Sequence, residues 1–241
     1  MDESDTTRKF FKGEAVTNNE FWILVRTELR TYDLLTHPFY RAWTAGQLSS
    51  PEIGFYGRQY QHHVAAFPTY LTALHCRLPE GPVRRVVLDT AAEEEVRGTA
   101  HADLWRQFVD GIDRAHQAQE ELLPDVRQLI GTYRDLAHDG RPAAALGAFY
   151  AYESQVPRIA EEKLAGLKAF YGADSRACEY FVLHRTADVH HAQVWRGLID
   201  LAIEEDDAHA ADALRGVRRG AKALWQALDG IDAARQQVRR R

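Results

Sequence analysis

Residues 181–195 read FVLHRTADVHHAQVW, and within them His184, Asp188 and His191 stand at i, i+4 and i+7. At 3.6 residues per turn, those three side chains leave an α-helix from one face. Phe181, Leu183, Val194 and Trp195 lie among them, so the segment makes a poor solvated face. Buried imidazoles and carboxylates need partners, and this combination suits iron, manganese or zinc. The stretch reads as a helix carrying half of a metal site. Short His/Asp spacings also arise by chance, so the other half has to be found elsewhere in the chain.

Composition bounds the search. A chain of 241 residues, 45% hydrophobic and 27% charged, is an ordinary globular sequence with room for one sizeable core or two small ones. Its formal net charge of −5 gives no electrostatic case for nucleic acid. The basic end from Arg235 to Arg241 reads more simply as a solvated helix terminus. No apolar run approaches the roughly 18 residues that a membrane span needs. The N-terminus is polar (Asp2, Glu3, Asp5, Arg8, Lys9), without a signal-peptide core. Two cysteines, Cys76 and Cys178, are too few for a disulfide framework. The expected location is the cytoplasm.

Periodicity predicts helix nearly throughout and no strand. A mobile lead is expected over 1–17, then a helix over about 18–35, then a short one begun by Pro38 and ended by Gly46. Ser49/Ser50-Pro51-Glu52 opens a long helix in which Pro68 predicts a kink. Further helices are expected over about 83–110 (with Gly98 a weak point), 120–137, 142–170, 176–204 and 208–237, with a loop over 111–119. The expectation is an all-α, single-domain bundle of seven to eight helices over 18–237, with a basic tail over 238–241.

Candidates for the missing half lie on two of these helices. Glu94 and His101 are seven apart and would share a face two turns separated; Glu153 sits mid-helix among aromatic and small residues. Because Glu93, Glu94 and Glu95 are consecutive, at least two must face solvent, and pattern alone does not choose between them.

A resemblance resolves the choice. The segments HPFYRAWTAGQLS (37–49), YQHHVAAFPTYLTALH (60–75), HADLWRQF (101–108), FYAYESQVPRIAEEKLAGL (149–167) and HRTADVHHA (184–192) resemble the heme-oxygenase-like di-metal oxidases of the TENA/PqqC fold group, most closely the CADD-like proteins. The likeness covers about residues 20–205. It implies a heme-oxygenase-like bundle with six metal ligands: Glu94, His101, Glu153, His184, Asp188 and His191. It implies two metal ions (Fe/Fe or Mn/Fe), molecular oxygen as co-substrate and an external reductant. The activity implied is formation of para-aminobenzoate for folate, its ring excised from the protein's own tyrosine. Tyr40 matches that tyrosine, Lys163 matches the amino donor, and Tyr56 and Tyr152 match tyrosines near the metals. From the residues alone, Tyr40 would be a core tyrosine and Lys163 a solvated helix lysine.

Other readings stay open. The same site could act on an external amino-acid-like or fatty-acid substrate, or the chain could be a metal-poor binding protein that retains the fold. Cys76 and Cys178 have no activating base beside them in sequence and read as incidental thiols. His37 reads as a turn residue, and one of His62 and His63 is expected to line the pocket. The partners implied are oxygen and an electron donor, with a homodimer one allowed assembly.

Overall fold

Helix caps set the frame of the computed structural model, which describes residues 17–113 and 120–239, with side chains through 237. Thr17 and Glu20 cap each other reciprocally, the Glu20 carboxylate accepting the Thr17 N–H at 2.8 Å, and start α1 (Asn18–Thr31). One 3₁₀ turn (Leu34–Thr36) leads to α2 (Pro38–Thr44), capped by the His37 imidazole, which accepts the Phe39 N–H at 3.1 Å. Ser49 and Glu52 cap α3 (Ser50–Arg77), which continues past Pro68.

Two stretches expected as single helices are each split, and each break falls at the prospective site. The first gives α4 (Pro82–Glu95) and α5 (His101–Ile112). Gly98 between them sits at φ +74°, a left-handed conformation that other residues rarely adopt. The N–H groups of Val96 and Arg97 both return to the Ala92 carbonyl, closing α4. After α6 (Pro124–His138) comes the second split, into α7 (Pro142–Glu153) and α8 (Val156–Phe170). Pro157 has no N–H to return to the Glu153 carbonyl, and its ring would collide with that carbonyl in a continuous helix. The helix therefore stops at Glu153. Asp174 caps α9 (Ser175–Glu205) by accepting the Ala177 N–H at 2.8 Å, and α10 (Ala208–Arg239) closes the bundle.

The eight expected helices thus become ten α-helices, with no strand among the described residues. Apart from Thr17, the expected mobile lead lies outside the described residues, as does most of the expected loop over 111–119. Of the expected basic tail, Val238 and Arg239 continue α10 and the last two residues lie outside the described chain.

At the centre is α7, whose residues from Ala143 to Phe149 are all buried, as befits a helix apolar on every side. Close approach to α10 holds it there. A Cβ added at Gly216 would stand 1.9 Å from the Ala144 carbonyl oxygen, and one at Gly147 would stand 2.1 Å from that of Ala213. This packing delivers Glu153, at the end of α7, to the middle of the protein. No described helix is long and apolar enough to cross a membrane.

Candidate metal centre

Three local structures bring six side chains together. Glu94 closes α4 and His101 opens α5. On one continuous helix, seven residues would separate them by about 10 Å. The turn at Gly98 instead puts Glu94 Oε2 2.7 Å from His101 Nδ1. Glu153 is 1% exposed, and the Trp195 indole N–H donates to its Oε2. On α9, His184, Asp188 and His191 line the buried face, while Val182, Leu183 and Val189 stand on the outer one. All six residues expected as ligands are buried.

They form two groups that share a carboxylate. Glu94, His101 and His184 each offer a donor atom within 4.8 Å of the others, and so do Glu94, Glu153 and His191. Asp188 joins the second group, its Oδ1 3.4 Å from His191 Nδ1, which is itself 3.7 Å from Glu153 Oε1. Neither Asp188 Oδ1 nor His191 Nδ1 has a hydrogen-bond partner. Atoms bound about 2.1 Å from one cation stand roughly 3.0–3.4 Å apart, so this orphaned pair has the spacing of two ligands to one ion.

The histidines present different nitrogens. His184 gives Nδ1 to the Tyr180 carbonyl at 2.7 Å, leaving Nε2 as its free donor atom. His191 pairs Nε2 with Glu93 Oε2 at 2.7 Å, leaving Nδ1 toward Asp188 and Glu153.

Electrostatics describe a centre that holds protons where cations would sit. Burial pushes Asp188 up to about 8 and raises Glu153 as well. Burial works to raise Glu94 too, but the hydrogen bond from His101 together with the charges of His101, His184 and His191 outweighs it and leaves Glu94 lowered. Burial pushes His184 down to about 3, so its ring is neutral and able to ligate. For His191, burial opposes the charge, yet Asp188, Glu153 and Glu93 together hold it up at about 12. Three carboxylates and three imidazoles, two of their donor atoms orphaned, fit a pair of metal ions, with Glu94 common to both groups.

Beside this centre lies a second constellation. Tyr40, 4% exposed on α2, places its hydroxyl 3.1 Å from that of Tyr56 on α3. Lys163 on α8 donates from Nζ to the Tyr56 hydroxyl at 2.5 Å. That Nζ stands 4.8 Å from the centre of the Tyr40 ring and 4.6 Å from that of Tyr56. The rings of Trp43, Tyr60, Trp105 and Phe181 complete an aromatic cage. Burial pushes the Lys163 amine well below the usual lysine value, toward its neutral form, and pushes the Tyr40 and Tyr56 phenols up, so both phenols are neutral at ordinary pH. The reading of Lys163 as a solvated helix lysine is excluded, since it is 4% exposed.

Two tyrosines join these regions. Tyr152 and Tyr180 line the cavity beside Tyr40 and Lys163, and they also line the one beside Glu94, Glu153, His184 and Asp188. Tyr180 was not among the residues expected from sequence, although it lies one turn before His184 and stacks on its ring at 3.8 Å. Nothing in the sequence pattern separates Glu93 from its acidic neighbours. His37 is more than a turn residue: its Nε2 meets Asp229 Oδ1 at 3.1 Å while Nδ1 caps the helix of Tyr40. Of the adjacent pair, His63 is the buried one, with both ring nitrogens unpartnered. The thiols are free, Cys76 exposed and Cys178 buried.

The iron-containing redox enzyme family matches residues 55–225. A 4-aminobenzoate synthase of Nitrosomonas europaea is 36% identical over 228 residues, covering 90% of this chain and 92% of that protein. A 4-aminobenzoate synthase of Chlamydia pneumoniae is 33% identical over 213 residues, covering 87% of this chain and 94% of that protein. The solved structure of a domain of unknown function with a heme oxygenase-like fold, from Shewanella denitrificans, superposes with a TM-score of 0.77 at 14% identity, over 93% of this chain and 95% of that one.

Proposed function

This chain belongs to the iron-containing redox enzyme family, and from that premise we propose that it forms 4-aminobenzoate, taking the ring from its own Tyr40 and the nitrogen from Lys163. The observation that carries the proposal is the Lys163 amine, caged by aromatic rings 4.8 Å from the Tyr40 ring and pushed by burial toward its neutral form. An amine kept neutral in an apolar chamber retains the lone pair that a nitrogen donor needs. The ring carbons of Tyr40 and its Cβ account for every carbon of the product. Release then requires breaking the Tyr40 Cα–Cβ bond, oxidising Cβ to a carboxyl at the expense of dioxygen, and breaking the Lys163 Cε–Nζ bond as its nitrogen replaces the phenolic oxygen, which leaves as water.

Glu94, His101, Glu153, His184, Asp188 and His191 would hold the two metals, as an Fe/Fe or Mn/Fe pair. When bound, the metals supply the redox chemistry by which dioxygen, with electrons from an external donor, becomes an oxidant. The chain's own residues decide what that oxidant can reach. Phe39, Trp43, Phe67 and Phe149 are buried and keep water out of the surroundings. Tyr152 and Tyr180 line both cavities, so two phenols stand between the metal ligands and the Tyr40–Lys163 pair. Tyr56 holds the two reactants in register, accepting from Lys163 and bonding the Tyr40 hydroxyl.

Substitution at Tyr40 tests this directly. Tyr40→Phe should retain both metals and consume oxygen while making no 4-aminobenzoate. Normal product from that variant, with none from Glu153→Ala, would sink the self-sacrifice and transfer the activity to an external substrate in the same pocket.

A further inference from the structure

We propose that Glu93 is a positioning residue for the metal centre: it holds His191 in the Nε2–H tautomer, so that this ring ligates through Nδ1. The assignment rests on the two-metal reading above and adds to it a residue outside the six ligands. Glu93 Oε2 lies 2.7 Å from His191 Nε2, joining α4 to α9. His191 Nδ1, the atom left over, is unpartnered and faces Asp188 Oδ1 at 3.4 Å and Glu153 Oε1 at 3.7 Å. An imidazole that donates one N–H to a carboxylate has its tautomer, its rotation and the basicity of its other nitrogen set by that bond.

The neighbouring histidine shows that the arrangement is particular to His191. His184 gives its Nδ1 to a backbone carbonyl of its own helix and is left with Nε2. His191 reaches instead to a different helix, and its outer partner is a side chain that is anchored in turn. The other oxygen of Glu93 accepts from Arg97 Nη1 at 3.3 Å, and Arg97 also bonds Asp89 one helical turn before Glu93. Consecutive positions of a helix differ by about 100°, so Glu94 can point into the centre while Glu93 closes over its rim. Glu93 is more than a solvated residue of an acidic run, because its inner oxygen meets an imidazole that is only 4% exposed.

The test measures Co²⁺ binding by anaerobic titration, with the d–d absorption reporting each site, in the full-length protein and in Glu93→Ala and Glu93→Gln. Wild type should bind two equivalents. Glu93→Ala should keep one site and weaken the other about 10- to 100-fold, the usual effect of losing such an outer partner. Glu93→Gln should recover most of that loss, because its amide oxygen still accepts the Nε2–H. Nitrogen-15 spectra of the Zn²⁺-loaded protein should show His191 protonated at Nε2 in wild type and Glu93→Gln. Wild-type affinity in Glu93→Ala, equal weakening in Gln and Ala, or an Nδ1–H tautomer in wild type would each overturn the assignment. A wild-type protein that takes up fewer than two ions would overturn the two-metal reading, and this assignment with it.

Discussion

Replacing Lys163 by methionine should remove product and stabilise the protein at once. The lysine is 4% exposed, and its amine has one hydrogen bond, to Tyr56, inside a ring-lined cage. Burying such a polar group costs on the order of 1–3 kcal/mol, and one hydrogen bond returns about 1 kcal/mol. Methionine has nearly the same length, needs no hydrogen bond and makes favourable sulfur–aromatic contacts. The variant should therefore gain roughly 1–2 kcal/mol, which for a chain of this size corresponds to about 2–8 °C in melting temperature. The gain should depend on pH. The amine lies well below the usual lysine value of 10.5, so its neutral state contributes stability above that value, lost as pH falls through the folded one. The advantage of methionine should thus shrink as pH rises toward about 10.5. Calorimetry across pH, with mass spectrometry for 4-aminobenzoate, measures both arms. A methionine variant destabilised by more than about 1 kcal/mol would mean that the amine serves packing. Normal product from the variant would end the role of Lys163 as donor.

Three other perturbations probe the frame around the chamber. Gly216→Ala should destabilise by about 3 kcal/mol or more in urea unfolding, because its Cβ would stand 1.9 Å from a backbone oxygen of the central helix; an effect under about 0.5 kcal/mol would refute that packing. Burial lowers His37, with Asp229 pulling partly the other way, so its neutral form contributes stability present above the ordinary value of 6.5 and lost as pH falls through the folded value. Protonation would turn the Nδ1 that accepts from Phe39 into a donor, so the melting temperature should fall on acidification more steeply in wild type than in His37→Asn, whose amide caps without titrating. Equal slopes would remove His37 as the responsible group. Asp188→Ala should lose one of two bound metals by elemental analysis with circular dichroism unchanged; full occupancy would take Asp188 off the ligand set.

Much of the site was legible because its spacing is local. His184, Asp188 and His191 share one face of one helix, and the structure buries that face. Where the chain turns, local periodicity fails. Glu94 and His101 were expected on one helix, two turns apart, and they touch only because Gly98 breaks it. Gly98 was visible as a weak point, but the outcome depended on which neighbours stabilise the turn. Pro157 carries its own signal, the missing N–H, which ends the helix at Glu153 although the apolar run before it reads on as helix. Lys163 was the hardest residue to place, since a lysine in RIAEEK has an exposed pattern and only tertiary packing shows the six rings around it. Glu93 could not be separated from Glu94 and Glu95 by sequence, because its meaning lies in contact with a residue 98 positions away.

The most direct measurement follows the ring itself. Protein carrying ring-labelled tyrosine is loaded anaerobically with iron, or with manganese and iron, given reductant and exposed to oxygen, and its small products and intact chain are then weighed. Labelled 4-aminobenzoate is expected at no more than one per chain, with the matching mass lost at residue 40. Unlabelled product, or product beyond one per chain from a polypeptide of unchanged mass, would contradict the self-sacrifice at Tyr40.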